Sequence, residues 1–315
     1  MPFTSRQRLA LALIFLTPAF WAVNYLVARR APGVIEPHLL AMLRWLGAGT
    51  IFAAVNWREL CRERRHIAAE GWRFLALGAL GMYICGAWVY IGGRTTTAVN
   101  IALIYALSPI FIVLASAWWL RERFDRRQAL GIALALAGVL HVILRGQWAA
   151  LASVQFVPGD GWILAAAIAW SAYALLLKRW PSRFTPGARL AMVSAAGVLV
   201  LLPFATWDIA TGIRPALSLE GLVLVLASAL VPGCAAYWSY AVIQQELGAA
   251  RASVIQYLGP LYAAGLGWLV LGEPVHPHHA IGLALVLGGI YLVTQARSGR
   301  EPVPIAPRHN AVGTD

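Results

Sequence analysis

Residues 98–142 read AVNIALIYALSPIFIVLASAWWLRERFDRRQALGIALALAGVLHV, and residues 249–293 read AARASVIQYLGPLYAAGLGWLVLGEPVHPHHAIGLALVLGGIYLV. The second stretch is the first displaced by 151 positions, aligned without a gap and identical at thirteen positions. Ala and Leu matches come easily in an apolar chain. The informative pairs are Pro109/Pro260, Glu122/Glu273, Gly131/Gly282 and Gly138/Gly289. These residue types are scarce in apolar runs or make demands on the backbone. Upstream, an offset of 149 pairs Trp21 with Trp170, Arg30 with Arg179, Pro32 with Pro181 and Pro37 with Pro186. The chain is two copies of one unit, and such repeats in a membrane protein point to a carrier with its substrate held between the halves.

The membrane follows from composition. The chain is 60% hydrophobic and 12% charged, with a mean hydropathy of +0.69. A soluble domain carries about 25% charged residues. Crossing the hydrocarbon core takes about 20 apolar residues in a helix. Ten runs meet or approach that length: 9–28, 38–57, 72–93, 97–120, 129–144, 161–177, 190–207, 221–245, 252–271 and 280–296. They are hydrophobic all round, without the period-2 alternation of a barrel strand. The expected fold is all-α and polytopic, with ten transmembrane helices in two inverted five-helix repeats. Residues 1–150 hold spans 1–5 and residues 151–297 hold spans 6–10. The polar, proline-containing tail at 298–315 is expected to be disordered.

The net charge of +12 does not indicate nucleic acid, because the arginines sit at the ends of apolar runs rather than in a basic domain. With the N-terminus in the cytoplasm, 17 Lys and Arg fall on the cytoplasmic side and 5 on the other, so both termini are expected inside. The first run exceeds a signal-peptide core of about 7–15 residues and is followed by Arg29-Arg30, which favours a retained span. Five spans per half turn the copies to face opposite ways, placing Glu122 at the cytoplasmic surface and Glu273 at the outer one. Two oppositely oriented halves are what alternating access needs.

Further motifs sharpen the reading. The first copy carries Ser108-Pro109, Arg121-Glu122-Arg123 at the span end, and Gly131 with Gly138. The second carries Leu247-Gly248-Ala249-Ala250-Arg251-Ala252-Ser253, Gly259-Pro260-Leu261, Leu271-Gly272-Glu273-Pro274 and Gly288-Gly289. In these features, over about residues 9–296, the chain resembles the EamA-type, ten-span drug/metabolite transporters. Arg121 departs from the pattern, standing where a Gly usually precedes the Glu. The resemblance implies a bacterial inner-membrane carrier, usually an exporter of amino acids or other small metabolites, with spans 1, 3, 4, 6, 8 and 9 around a central cavity.

Candidate site residues follow from what is costly in a bilayer. Arg44 lies within span 2, where a charge costs at least about 2.5–3.5 kcal/mol on insertion scales. It is placed to bind a substrate carboxylate, or to snorkel to the outer interface, or to pair with a carbonyl or Glu36. Trp21, Asn24, Tyr83, Trp88, Tyr90, Tyr105, Trp170, Tyr173, Tyr237, Trp238, Gln256 and Tyr257 lie on the cavity spans. Their rings offer apolar contact with a polar handle and cation–π attraction. An interfacial belt is the alternative, and it fits Trp57, Trp72, Trp118, Trp119 and Trp207 at span ends. Pro109 and Pro260 interrupt the helical ladder and are candidate hinges, with static kinks as the alternative.

Other chemistry is thinly represented. No acidic residue is placed deep in a span, so no proton-relay carboxylate stands out. Glu122 and Glu273 suit helix-end roles. His276-Pro277-His278-His279 is the one metal-like cluster, and it lacks a supporting carboxylate, so no metal is expected. The three cysteines form no CxxC pair, and there is no phosphate loop or nucleophile elbow. No cofactor is expected. The expected partners are a small-molecule substrate and the lipid bilayer, with a monomer as the working unit. The favoured function is a secondary carrier that exports small metabolites such as amino acids by alternating access. An antiporter of anionic metabolites, with Arg44 and Arg251 as contacts, is a second reading. A multispan enzyme acting on lipid-linked substrates is a third, and the spans offer it no converging carboxylates.

Overall fold

A segment in a bilayer core has no water to bond its N–H and C=O groups, so it closes its hydrogen bonds on itself. The regular elements among the described residues are all helical. The computed structural model describes residues 5–31, 33–92, 95–96, 98–119, 125–211, 218–259, 261–262, 265, 269 and 276–295. Glu122, Pro260, Glu273 and the tail at 298–315 lie outside them, as does the side chain of Tyr90.

The first half runs through α1 (Ser5–Arg30), α2 (Pro37–Val55), the short α3 (Trp57–Arg62) and α4 (Arg64–Gly78). A π-helical segment (Ala79–Trp88) leads from α4 into α5 (Val89–Gly92). Then come α6 (Ala98–Tyr105), α7 (Ser108–Trp119) and α8 (Arg126–Ile143), with a 3-10 turn at Trp148–Ser153. The second half has α9 (Pro158–Arg179), α10 (Pro186–Thr211) and α11 (Leu219–Ser228), which passes through a second π segment (Ala229–Ala235) into α12 (Ala236–Leu247). After α13 (Ala249–Ser253) and a 3-10 stretch (Val254–Leu258) the last element is α14 (Pro277–Gln295).

Among the described residues, seven stretches are long and apolar enough to cross a membrane. They are Ser5–Asn24, Pro37–Val55, Arg126–Ile143, Pro158–Arg179, Pro186–Thr211, Leu219–Leu247 and Pro277–Thr294, with Leu103–Trp119 as a shorter apolar helix. Of the other predicted runs, 72–93 is helical through the first π segment, and 252–271 begins as α13 and its 3-10 continuation. The run 97–120 is split by a turn at Ala106–Leu107. This corrects the placement of Pro109. It is the second residue of α7, where its missing N–H interrupts no ladder, and the break lies just before it.

The two halves interlock through antiparallel helices. In α8 and α14, a Cβ on Gly131 would stand 2.6 Å from the Gly289 carbonyl oxygen, and one on Gly138 would stand 2.8 Å from that of Gly282. The repeat equates Gly131 with Gly282 and Gly138 with Gly289, yet the contacts pair them crosswise. Crosswise pairing is what a two-fold axis between inverted copies produces. Small residues bring the backbones close where lipid gives no hydrophobic drive for association. α2 and α10 also pack side by side, Gly49 meeting the Ser194 side chain. Outside this core the surface is apolar: Leu114, Leu199 and Leu222 are exposed. Trp57, Trp72, Trp118, Trp119 and Trp207 are also exposed, as side chains in a lipid-facing belt are.

Candidate functional site between the halves

Arg44 is 7% exposed and bonds to both halves. Its Nη1 donates to Asn24 Oδ1 of α1 at 3.2 Å, and its Nη2 to the Pro232 carbonyl of the second π segment, also at 3.2 Å. The guanidinium carbon lies 4.7 Å from the Trp45 ring centroid and 6.0 Å from that of Tyr237. Arg44 therefore pairs with a carbonyl inside the protein, one of the alternatives to substrate binding, rather than snorkelling. Both acceptors are neutral, and its Nε has no partner. Among the described residues this buried cation meets only dipoles and ring faces, which leaves it under-compensated.

Rings from both halves gather beside it. Trp21 meets Trp170 edge-on at 5.5 Å, and Trp170 contacts Tyr173, Tyr237 and Tyr240 at 5.6, 5.8 and 5.1 Å. Trp45 and Tyr237 cross at 4.7 Å. The Tyr237 hydroxyl donates to the Gly81 carbonyl at 3.2 Å, joining the second half to the first π segment. Offset by 149, the segments Ala79–Trp88 and Ala229–Ala235 fall at matching places in the two copies. Widened π turns leave carbonyls off the regular ladder and are frequent at functional sites. Here one such carbonyl meets Arg44 and another meets Tyr237.

Polar atoms of these same side chains lack protein partners: Arg44 Nε, Trp45 Nε1, Trp170 Nε1 and the Tyr240 hydroxyl. Buried polar groups are satisfied in the great majority of cases, so a concentration of exceptions calls for an explanation.

The other sequence-selected residues make separate contacts. Tyr83 stacks on Phe204 at 4.4 Å and meets Trp88, which meets Trp162 at 5.0 Å. These rings form a second group at the edge of the core. Tyr105 packs with Ile163 and Ala167 on α9. Gln256 and the buried Tyr257 sit on the 3-10 stretch, the Gln256 side-chain nitrogen lacking a partner. Trp238 is 38% exposed and is not among the ring contacts. It neighbours Tyr237 on a helix, where successive residues point about 100° apart, so both cannot face the same centre.

Sequence reading passed over Trp45 and Tyr240; the spacing of Tyr240 three residues beyond Tyr237 was the available signal. It also passed over two carboxylates, the buried Asp160 and the half-buried Asp208. Asp160 opens α9 bonded to Asn100, Thr96 and the Val157 N–H, and Asp208 meets His38. In the histidine cluster the rings stack on one another, and no group suited to hold a metal occurs among the described residues.

An inverted helical bundle with a buried polar and aromatic junction between its halves defines a multi-pass membrane transporter. The model of the EamA-like transporter family matches residues 8–144 and again 157–295, and the chain belongs to that family. It is similar to an uncharacterized protein of Pseudomonas aeruginosa, 31% identical with 93% of this chain and 97% of the relative covered. An uncharacterized transporter of Archaeoglobus fulgidus is 25% identical over 90% of this chain and 98% of its own length. A Chlamydia trachomatis protein named as an S-adenosylmethionine/S-adenosylhomocysteine transporter is 25% identical over 90% of this chain and 89% of its own. One crystal structure shares the fold with a TM-score of 0.73 and 21% identity, covering 90% of this chain and 97% of that one.

Proposed function

We propose that the protein is a secondary carrier of small metabolites bearing a carboxylate and an apolar or aromatic part, amino acids foremost, which it exports by alternating access. The observation that carries this is Arg44: buried, bonded among the described residues only to neutral acceptors, with no hydrogen-bond partner for its Nε. A substrate carboxylate supplies the charge the protein does not. The rings of Trp21, Trp45, Trp170 and Tyr237 supply apolar contact, and the unpartnered indole and hydroxyl groups supply donors. The relative named for S-adenosylmethionine and S-adenosylhomocysteine fits this class, since both compounds carry an amino-acid carboxylate. Asn24, Tyr173, Gln256 and Tyr257 complete the proposed lining, and the break before Pro109 is the proposed hinge, together with Pro260, its partner in the sequence repeat. The same Arg44 favours anion exchange as the second reading.

Uptake into proteoliposomes of purified protein tests this. Amino acids should be transported or exchanged, and their methyl esters and amides, which lack the carboxylate, should neither move nor compete. Equal competition by acid and ester would sink the carboxylate assignment.

Orientation has its own check. With both termini in the cytoplasm of a bacterial inner membrane and two five-span units at 1–150 and 151–297, a cysteine at Glu122 should react only with reagent applied inside. One at Glu273 should react only from outside. Labelling of both from one side would overturn the ten-span arrangement.

A further inference from the structure

α2 and α10 clasp each other at both ends, and the two clasps are chemically unequal. At one end Glu59, on α3 just beyond α2, accepts from the Thr185 N–H at 2.8 Å and from its hydroxyl at 2.7 Å, holding the start of α10. At the other end Asp208, in the last turn of α10, lies 2.7 Å from His38 Nδ1 in the first turn of α2. The offset of 149 that pairs Pro37 with Pro186 equates Glu59 with Asp208. The same carboxylate clasp is thus used twice, once on a hydroxyl that does not titrate and once on an imidazole that does.

The surroundings of the second clasp suit a switch. The His38 and Asp208 side chains are 15% and 17% exposed, so their interaction is only partly screened by water. His38 stacks on Phe204 at 5.6 Å and faces Tyr83 at 6.3 Å, which closes one side with rings. Among the described residues, the charged and titratable groups brought to this end are Tyr83, Glu36 just before α2, and the exposed Arg30–Glu220 pair of α1 and α11.

The geometry points to His38 and Asp208 as a proton-binding site that locks one face of the carrier when His38 is protonated. Neutral imidazole with hydrogen on Nδ1 still donates to the carboxylate, but imidazolium adds a full charge attraction, and charge-assisted bonds are about twice as strong. Acid, by charging the ring, would therefore strengthen the clasp and favour closure. Histidine is the side chain whose ordinary titration spans pH 5 to 8. In the proposed orientation this end faces outward, so external acid would hold the outer face shut. That is a regulation of the carrier reading, whereas the clasp chemistry is independent of any substrate.

The test uses spin labels on full-length protein in nanodiscs, at Arg30→Cys and Ile209→Cys with Cys61→Ser, and no substrate. Between about pH 5 and pH 8 the ratio of separated to closed populations should rise by about tenfold. His38→Gln keeps a hydrogen bond to Asp208 but cannot titrate, and should flatten this response. Asp208→Asn removes the charge and stands in if His38→Gln does not reach the membrane; it should also lose most of the amplitude. Glu59→Gln should leave the pH response intact. A flat wild-type response, or a wild-type response surviving in the His38 and Asp208 variants, overturns the proposal. Because no substrate is present, either failure leaves the Arg44 assignment untouched.

Discussion

Arg44→Gln is expected to remove carboxylate transport while leaving the protein as stable as wild type, or more so. Each charge-assisted hydrogen bond from the guanidinium to a substrate carboxylate contributes about 1.5–3 kcal/mol, equivalent to roughly ten- to a hundredfold in affinity. KM should rise by at least that factor. The stability side of the prediction separates binding from scaffolding. If Arg44 serves only to tie α2 to Asn24 and the Pro232 carbonyl, its loss should lower the melting temperature in detergent. If it is a cation kept for a ligand, its removal relieves a burial penalty, and function falls as stability holds, the familiar cost of a ligand site. Arg44→Lys retains charge but not the planar fork, and should recover part of the activity. Asn24→Ala frees one guanidinium N–H and should weaken transport less than Arg44→Gln does. A melting temperature that drops in step with activity across all three would make Arg44 structural.

The bilayer made much of this architecture readable. A run of 20 apolar residues has one economical conformation in lipid, so helix positions followed from composition. The repeat followed from residues that the backbone cannot replace freely: Gly131, Gly138, Gly282 and Gly289 mark the crossing of α8 and α14. The chemistry was less legible for a physical reason. Arg44 announced itself because charge is costly in a span, but its acceptor at Pro232 depends on a π segment, and no residue pattern marked where the ladder widens. Tyr237 and Trp238 looked equivalent by type, and only helix phase divides the buried ring from the exposed one. Asp208 lies near a span end, and its partner His38 is 170 residues away, a pairing invisible without the fold.

The crossing of α8 and α14 makes the largest structural prediction. Gly131→Leu and Gly138→Leu should each prevent stable folding, because the added carbons would enter the opposing backbone rather than a movable side chain. The Cβ alone would stand 2.6 Å from the Gly289 carbonyl oxygen in one case and 2.8 Å from the Gly282 carbonyl oxygen in the other. Over-packing a tight core costs about 1–3 kcal/mol where side chains can adjust, and two helix backbones adjust less. Even Gly131→Ala should lower the melting temperature, against the gain of about 0.8–1.0 kcal/mol that alanine brings to a helix interior. Gly161, in α9, supplies the contrast, since a Cβ there meets nothing within 4 Å. Gly161→Ala should be neutral or stabilising. Thermal unfolding in one detergent, with the yield of monodisperse protein, reads all four variants. If Gly131→Leu melts with wild type, the helices do not approach this closely. The crosswise glycine pairing, on which the two-fold relation of the halves rests here, would then have to be abandoned.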